Sequence, residues 1–106
     1  MEDHREGNWK VMPDESGSVL IVDDDATGRD ILSRRLSRAG YDVRAVEDGP
    51  RALKAVESSR PDVLLLDLVM PGMSGIEVLT ELRKRLSQSE LPVIMVTGQD
   101  RPEDMV

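Results

Sequence analysis

The sequence predicts an α/β fold, a doubly wound parallel sheet with helices on both faces. Two observations carry that prediction. From Ser18 onward, apolar runs of strand length alternate with amphipathic stretches of helix length, the signature of crossover-linked parallel strands. Three of those runs are apolar throughout rather than alternating, as strands buried between two helical layers are. A third observation supports it: acids and a hydroxyl stand directly after the strands, where open α/β sheets carry their ligands.

Each element has its own signals. Ser18 to Val22 is a short apolar run ending in acids, a buried first strand. Thr27 to Ala39 sets Ile31, Leu32, Leu36 and Ala39 on one helical face, with Arg34, Arg35 and Arg38 suiting the C-terminal dipole and Gly40 positioned to end the helix. Tyr41 to Val46 alternates apolar and polar residues, so the second strand belongs at an edge. Gly49 and Pro50 open a second helix that runs to about Ser59, before Pro61. Val63 to Leu66 is a third strand, ending at Asp67. After a loop from Met70 to Ser74, the Ser74/Glu77 capping-box spacing starts a third helix, with Ile76, Leu79, Leu82 and Leu86 expected inward. Pro92 to Val96 is the fourth strand, ending at Thr97, and Asp100 to Glu103 reads as the cap of a fourth helix. A half-polar second strand at the edge and apolar first and third strands inside give the flavodoxin-like order 2-1-3-4, with a fifth strand expected beyond the fourth. The expectation is that the chain ends before that strand.

Residues 1–17 are polar and aperiodic, and are expected to form a flexible arm ahead of a domain over 18–106. Trp9, Val11 and Met12 are its sizeable apolar groups. The chain has no Cys, which excludes disulfides and thiolate metal sites. A net charge of −7 argues against direct nucleic-acid binding by this domain. No apolar run reaches membrane-spanning length and no signal pattern opens the chain, so a cytoplasmic location without membrane contact is expected.

In the order 2-1-3-4 the first and third strands are neighbours. Asp23, Asp24 and Asp25 after the first strand therefore converge with Asp67 after the third, and Thr97 follows the fourth. Close carboxylates raise one another's pKa unless a cation is supplied. No Lys, Arg or His stands at these strand ends. A hard divalent ion suits the set, and Mg²⁺ held by one or two carboxylates, waters and a substrate phosphate suits it best. With an acceptor oxygen and a hydroxyl, that set has what phosphoryl transfer requires. Taken singly, each residue has a plainer reading. Asp25 is assigned to capping the first helix, Asp67 before a Pro-Gly loop fits turn chemistry, and Thr97 fits a cap or a β-branched strand residue. It is the conjunction that points to a site.

The stretches Val19 to Asp30 (VLIVDDDATGRD), Val63 to Ile76 (VLLLDLVMPGMSGI) and Pro92 to Gln99 (PVIMVTGQ) resemble the receiver domain of two-component response regulators. The resemblance runs from Ser18 to Val106, and the element D-x-x-M-P-G-M-S-G from Asp67 to Gly75 is its most specific part. It implies a phosphoacceptor at Asp67, taking a phosphoryl group from a histidine kinase or phosphotransfer protein. It implies Mg²⁺ on Asp24, Asp67 and the backbone carbonyl of Val69, with Asp23 acting through water. It further implies a switch hydroxyl at Thr97 beside the Gly98 amide, and Val69 and Gln99 flanking the water that limits the phosphoaspartate's lifetime. Pro71 and Gly75 would shape the loop. Such a domain is not an enzyme beyond Mg²⁺-dependent self-phosphorylation and autodephosphorylation. The family's lysine and aromatic switch residue, both on the fifth strand, have no counterpart in these 106 residues.

Two rival readings remain open on sequence. Asp23-Asp-Asp-Ala-Thr27 fits the D-x-D-x-T motif of haloacid-dehalogenase-type phosphatases, with Asp23 as nucleophile and Asp25 as general acid, though the M-P-G-M-S-G loop has no place there. A pseudo-receiver, an interaction module that is not productively phosphorylated, is the other. Finally, a fourth strand without a neighbour on its outer side is an open template for pairing. Homodimerisation or exchange of elements through that edge is therefore expected.

Overall fold

The computed structural model describes residues 17–96. Four parallel strands, β1 (Ser18–Val22), β2 (Asp42–Val46), β3 (Val63–Asp67) and β4 (Val93–Val96), form one sheet in the order β2-β1-β3-β4. Between them run α1 (Ala26–Arg38), α2 (Gly49–Ser58) and α3 (Gly75–Arg83). The expected flavodoxin-like order is met. The expected fourth helix lies outside the described residues, as does the N-terminal arm apart from Gly17, whose carbonyl accepts the Asp42 N–H at 3.1 Å.

The helix ends follow their local chemistry. Asp25 caps α1, its carboxylate accepting the Gly28 N–H at 3.1 Å. At the other end Gly40 takes φ +103, the Tyr41 N–H donates to the Leu36 carbonyl and the Gly40 N–H to that of Ser37, a Schellman closure. Asp48 caps α2 ahead of Pro50. In α3 the expected capping box is present in both directions: Glu77 N–H to Ser74 Oγ at 3.2 Å, and Ser74 N–H to Glu77 Oε1 at 2.8 Å. A second such box, Ser87 with Glu90, shapes the turn before β4 and seats the fully buried Leu91.

One face of the sheet carries the core. Leu20, Val22, Leu64 and Leu66 are buried there against Ala52 and Val56 of α2 and Val78 and Leu82 of α3. Val19 and Ile21 point the other way and are buried outside that cluster, where α1 packs on β1 and β2. That second face is more open. Ile21, Leu65 and Ile94 form one cross-strand row, and along it exposure rises from 1% at Ile21 to 53% at Ile94.

Three expected core positions are corrected. Ile31, 43% exposed, and Ala39, exposed, do not face inward, because α1 covers its side of the sheet by itself among the described residues; Leu32 and Leu36 are half-buried. Ile76 is 53% exposed and Val78 is buried in its stead. The cause is Gly75. Its backbone lies so close to the preceding strand that a Cβ there would meet the Asp67 carbonyl oxygen at 2.2 Å. That contact turns the 75–78–82 stripe toward the sheet and swings position 76, a further 100° around the helix, outward.

Candidate carboxylate site

β1 and β3 are hydrogen-bonded neighbours in register, Val22 opposite Leu66, so the residues following each emerge together. One oxygen from each of Asp23, Asp24 and Asp67 lies within 4.8 Å of the others. Asp67 ends β3 and is 6% exposed, whereas Asp24 is open to solvent. The parallel ladder thus sets a buried acid beside two more accessible ones.

Each acid is held by the backbone around it. The Asp23 N–H donates to the Val46 carbonyl at 3.2 Å, tying the end of β1 to β2, and its Oδ1 accepts the Asp25 N–H at 2.9 Å. Asp67 Oδ1 accepts a long bond, 3.4 Å, from the Val69 N–H. The segment after Asp67 is clamped on two sides: Leu68 N–H donates to the Val96 carbonyl, and Gly75 N–H donates back to the Leu68 carbonyl. Gly72, at φ +78, makes the turn between them.

Burial is the main reason that the Asp67 carboxyl is pushed up from 3.8 to about 6. The charge of Asp23 adds to it, as do bonds to Asp23 and Asp24 that favour the protonated acid, while the Val69 N–H opposes it. A cation at the cluster would reverse this balance. The geometry suits a small one. Two oxygens about 2.1 Å from one Mg²⁺ stand at most about 4.2 Å apart, so three carboxylate oxygens within 4.8 Å of one another are close to the spacing that one such ion requires.

The expected site residues fall into four groups. Asp23, Asp24 and Asp67 are brought together. Asp25 is separate in role, as expected, since its carboxylate serves the α1 cap. Val69 has an exposed side chain next to the cluster. Thr97, Gly98 and Gln99 lie outside the described residues. The preceding residue, Val96, pairs with Asp67, so β4 ends level with the acid cluster.

Sequence reasoning missed one cation. Arg29 folds back from the first turn of α1, and its guanidinium donates to the Asp23 carbonyl oxygen at 2.9 Å. It follows no strand directly, which hid it; a basic residue one turn after an acidic N-cap was the available signal.

The strand order and the acids at the strand ends define a flavodoxin-like α/β domain with a carboxylate site. The family model described as the response regulator receiver domain matches residues 19–106, and the chain belongs to that family. Among curated relatives, the sensory transduction protein RegX3 of Mycolicibacterium smegmatis is 47% identical over 89 residues, 84% of this chain and 38% of that protein. The DNA-binding response regulator MtrA of Mycolicibacterium paratuberculosis is 42% identical over 88 residues, 83% of this chain and 38% of that protein. The chain therefore spans well under half the length of these relatives. Among solved structures, the N-terminal domain of a response regulator receiver protein from Methanoculleus marisnigri superposes with TM-score 0.73 at 31% identity, covering 83% of this chain and 72% of that one. The response regulator TrrA of Thermotoga maritima in complex with Mg²⁺-BeF gives TM-score 0.71 at 36% identity, covering 78% and 70%. The same protein in complex with the histidine kinase ThkA gives TM-score 0.70 at 35% identity, covering 80% and 72%.

Proposed function

We propose that this receiver domain takes a phosphoryl group onto Asp67, with Mg²⁺ at the carboxylate cluster, and that the donor is a histidine kinase or phosphotransfer protein. The observation that carries this is a buried acid at the end of β3 with two further carboxylates within 4.8 Å. The binding of Mg²⁺-BeF and of a histidine kinase by TrrA supports it by analogy.

Asp24 and Asp67 are the direct ligands in this reading, with the Val69 carbonyl, and Asp23 acts through water. The ion, when bound, neutralises the carboxylates and the incoming phosphoryl oxygens. An Asp67 oxygen attacks phosphorus in line as the bond to the donor's imidazole nitrogen breaks, and that nitrogen leaves with the bonding pair. The clamps on Leu68 and Gly75 hold the nucleophile's backbone still during attack. Thr97 and the Gly98 amide then bond the phosphoryl oxygens, and Val69 and Gln99 govern access of the hydrolytic water. The domain is a switch with self-phosphorylation and autodephosphorylation rather than an enzyme on other substrates, and it works in the cytoplasm. MtrA is named as DNA-binding; for the residues here, the net charge of −7 argues against direct contact with DNA.

Incubation with an acyl phosphate and Mg²⁺, followed by mass spectrometry, tests the reading. One phosphoryl group at Asp67, dependent on Mg²⁺ and absent from Asp67→Asn, is expected. Modification at Asp23 would favour the phosphatase chemistry instead, and no modification with Mg²⁺ still binding would favour a pseudo-receiver.

A further inference from the structure

Between them, α2 and α3 enclose a groove of about 800 Å³ that reaches down to the core residues Val56 and Leu82. Its lining includes Leu53, Val56, Leu82 and Leu86, and Pro50 also borders it. Lys54, Arg60, Lys84 and Arg85 line it too, against two carboxylates among the described residues, Glu57 and Glu81. A locally cationic groove with an apolar lining is unexpected on a chain of net charge −7. Nothing in the phosphoryl chemistry uses it, since its basic end lies at the C-terminal ends of α2 and α3 and the acid cluster lies at the carboxyl ends of the strands.

We infer that this groove is the docking site of the chain's own N-terminal segment, with Trp9, Val11 and Met12 against the leucines and the segment's acids on the basic rim. Three observations converge on that occupant. The first is charge. Residues 1–16 hold Glu2, Asp3, Glu6, Asp14 and Glu15 against Arg5 and Lys10, an excess of acids facing an excess of bases.

The second is the point of departure. Ser18 N–H donates to Asp62 Oδ2 at 2.8 Å, and Asp62 is two residues from Arg60 on the groove's rim, so the chain leaves the body beside it. At about 3.3 Å per residue, Met12 reaches about 17 Å from Gly17 and Trp9 about 26 Å, more than the roughly 15 Å length of a ten-residue helix such as α2. The third is composition. Trp9, Val11 and Met12 are the sizeable apolar groups of an otherwise polar segment, and aromatic anchors in a desolvated groove are what hold such contacts.

Trp9 is the protein's single tryptophan, so its fluorescence reports the docking directly. The full chain, kept dilute, should emit to the blue of its own urea-unfolded state and resist quenching by acrylamide several-fold better. Lys54→Glu with Arg85→Glu, both exposed positions, should return emission and quenching toward the unfolded values while far-UV circular dichroism stays unchanged. Salt near 1 M, where the screening length falls to about 3 Å, should act in the same direction. Leu53→Asp, checked for fold in the same way, should do so without salt. Wild-type emission equal to that of the unfolded chain overturns the inference. So does a buried Trp9 indifferent to all three substitutions, or one released by dilution, which would make a second copy the occupant.

Discussion

Replacing Asp67 with Asn removes the charge but keeps the shape of the side chain, and should stabilise the metal-free protein at neutral pH. The folded-state pKa is raised from 3.8 to about 6, so between those values the folded chain binds more protons than the unfolded chain. Stability from this group is therefore full below 3.8, is lost as pH rises through about 6, and stays lost above. At 1.36 kcal/mol per pH unit the difference amounts to about 3 kcal/mol as an upper bound. Urea melts of wild type and Asp67→Asn in chelator measure it. The variant should be more stable by about 1–3 kcal/mol near pH 7, and the gap should close toward pH 4. Subtracting the two proteins removes the contributions of Asp48 and Glu90, which are shifted in the opposite direction. Mg²⁺ should raise wild-type stability by mass action and narrow the gap, because the ion supplies the missing opposite charge. A gap that is independent of pH, or an Asn variant weaker near pH 7 than near pH 4, would refute the electrostatic account of Asp67.

Asp24→Asn should weaken Mg²⁺ binding more than Asp25→Asn, since Asp25 is engaged in the α1 cap; equal losses in a titration would contradict the assignment. Asp25→Ala should instead cost about 1 kcal/mol in a denaturant melt. Gly75→Ala sets a methyl 2.2 Å from a backbone oxygen and should cost about 2–3 kcal/mol, with Mg²⁺ affinity reduced as the loop shifts; an unchanged melt would show that the approach is looser than it stands. The outer edge of β4 has no strand beside it among the described residues, and Ile94 and Val96 are exposed there. Light scattering of the 106-residue chain should show association rising with concentration, and a concentration-independent monomer would count against pairing through that edge.

Element types and strand order were legible because they depend on local pattern. An apolar run between acids and Gly-Pro punctuation admits few readings, and the half-polar stretch from Asp42 to Val46 could sit only at an edge. The acid cluster followed from the same order, since neighbouring parallel strands must release their next residues side by side. What sequence could not supply was rotation and reach. Ile76 and Val78 are both plausible on an inward stripe, and only the contact of Gly75 with the Asp67 carbonyl decides between them. Arg29 belongs to the Asp23 backbone through a long side chain folding back over a helix turn, which strand-end bookkeeping does not see.

The site and the core are also linked energetically. Burying Asp67 beside two acids destabilises the fold, yet the residues immediately before the acids are among the most buried in the chain: Val22 at 1% ahead of Asp23, and Leu66 at 0% ahead of Asp67. Each fully buried side chain of this kind contributes about 1.5–3 kcal/mol, so the two together offset a strained carboxyl of the size worked out above. Because Val22 and Leu66 are register partners, the stabilising contact lies directly beneath the destabilising one. The fold can thus hold a carboxylate cluster that is electrostatically unfavourable on its own. Val22→Ala or Leu66→Ala should therefore lower stability by about 2–5 kcal/mol, less for the smaller valine, and Mg²⁺ should recover only the part that arises from the acids. Full recovery by Mg²⁺ would mean that packing and charge at this end of the sheet are not separate contributions.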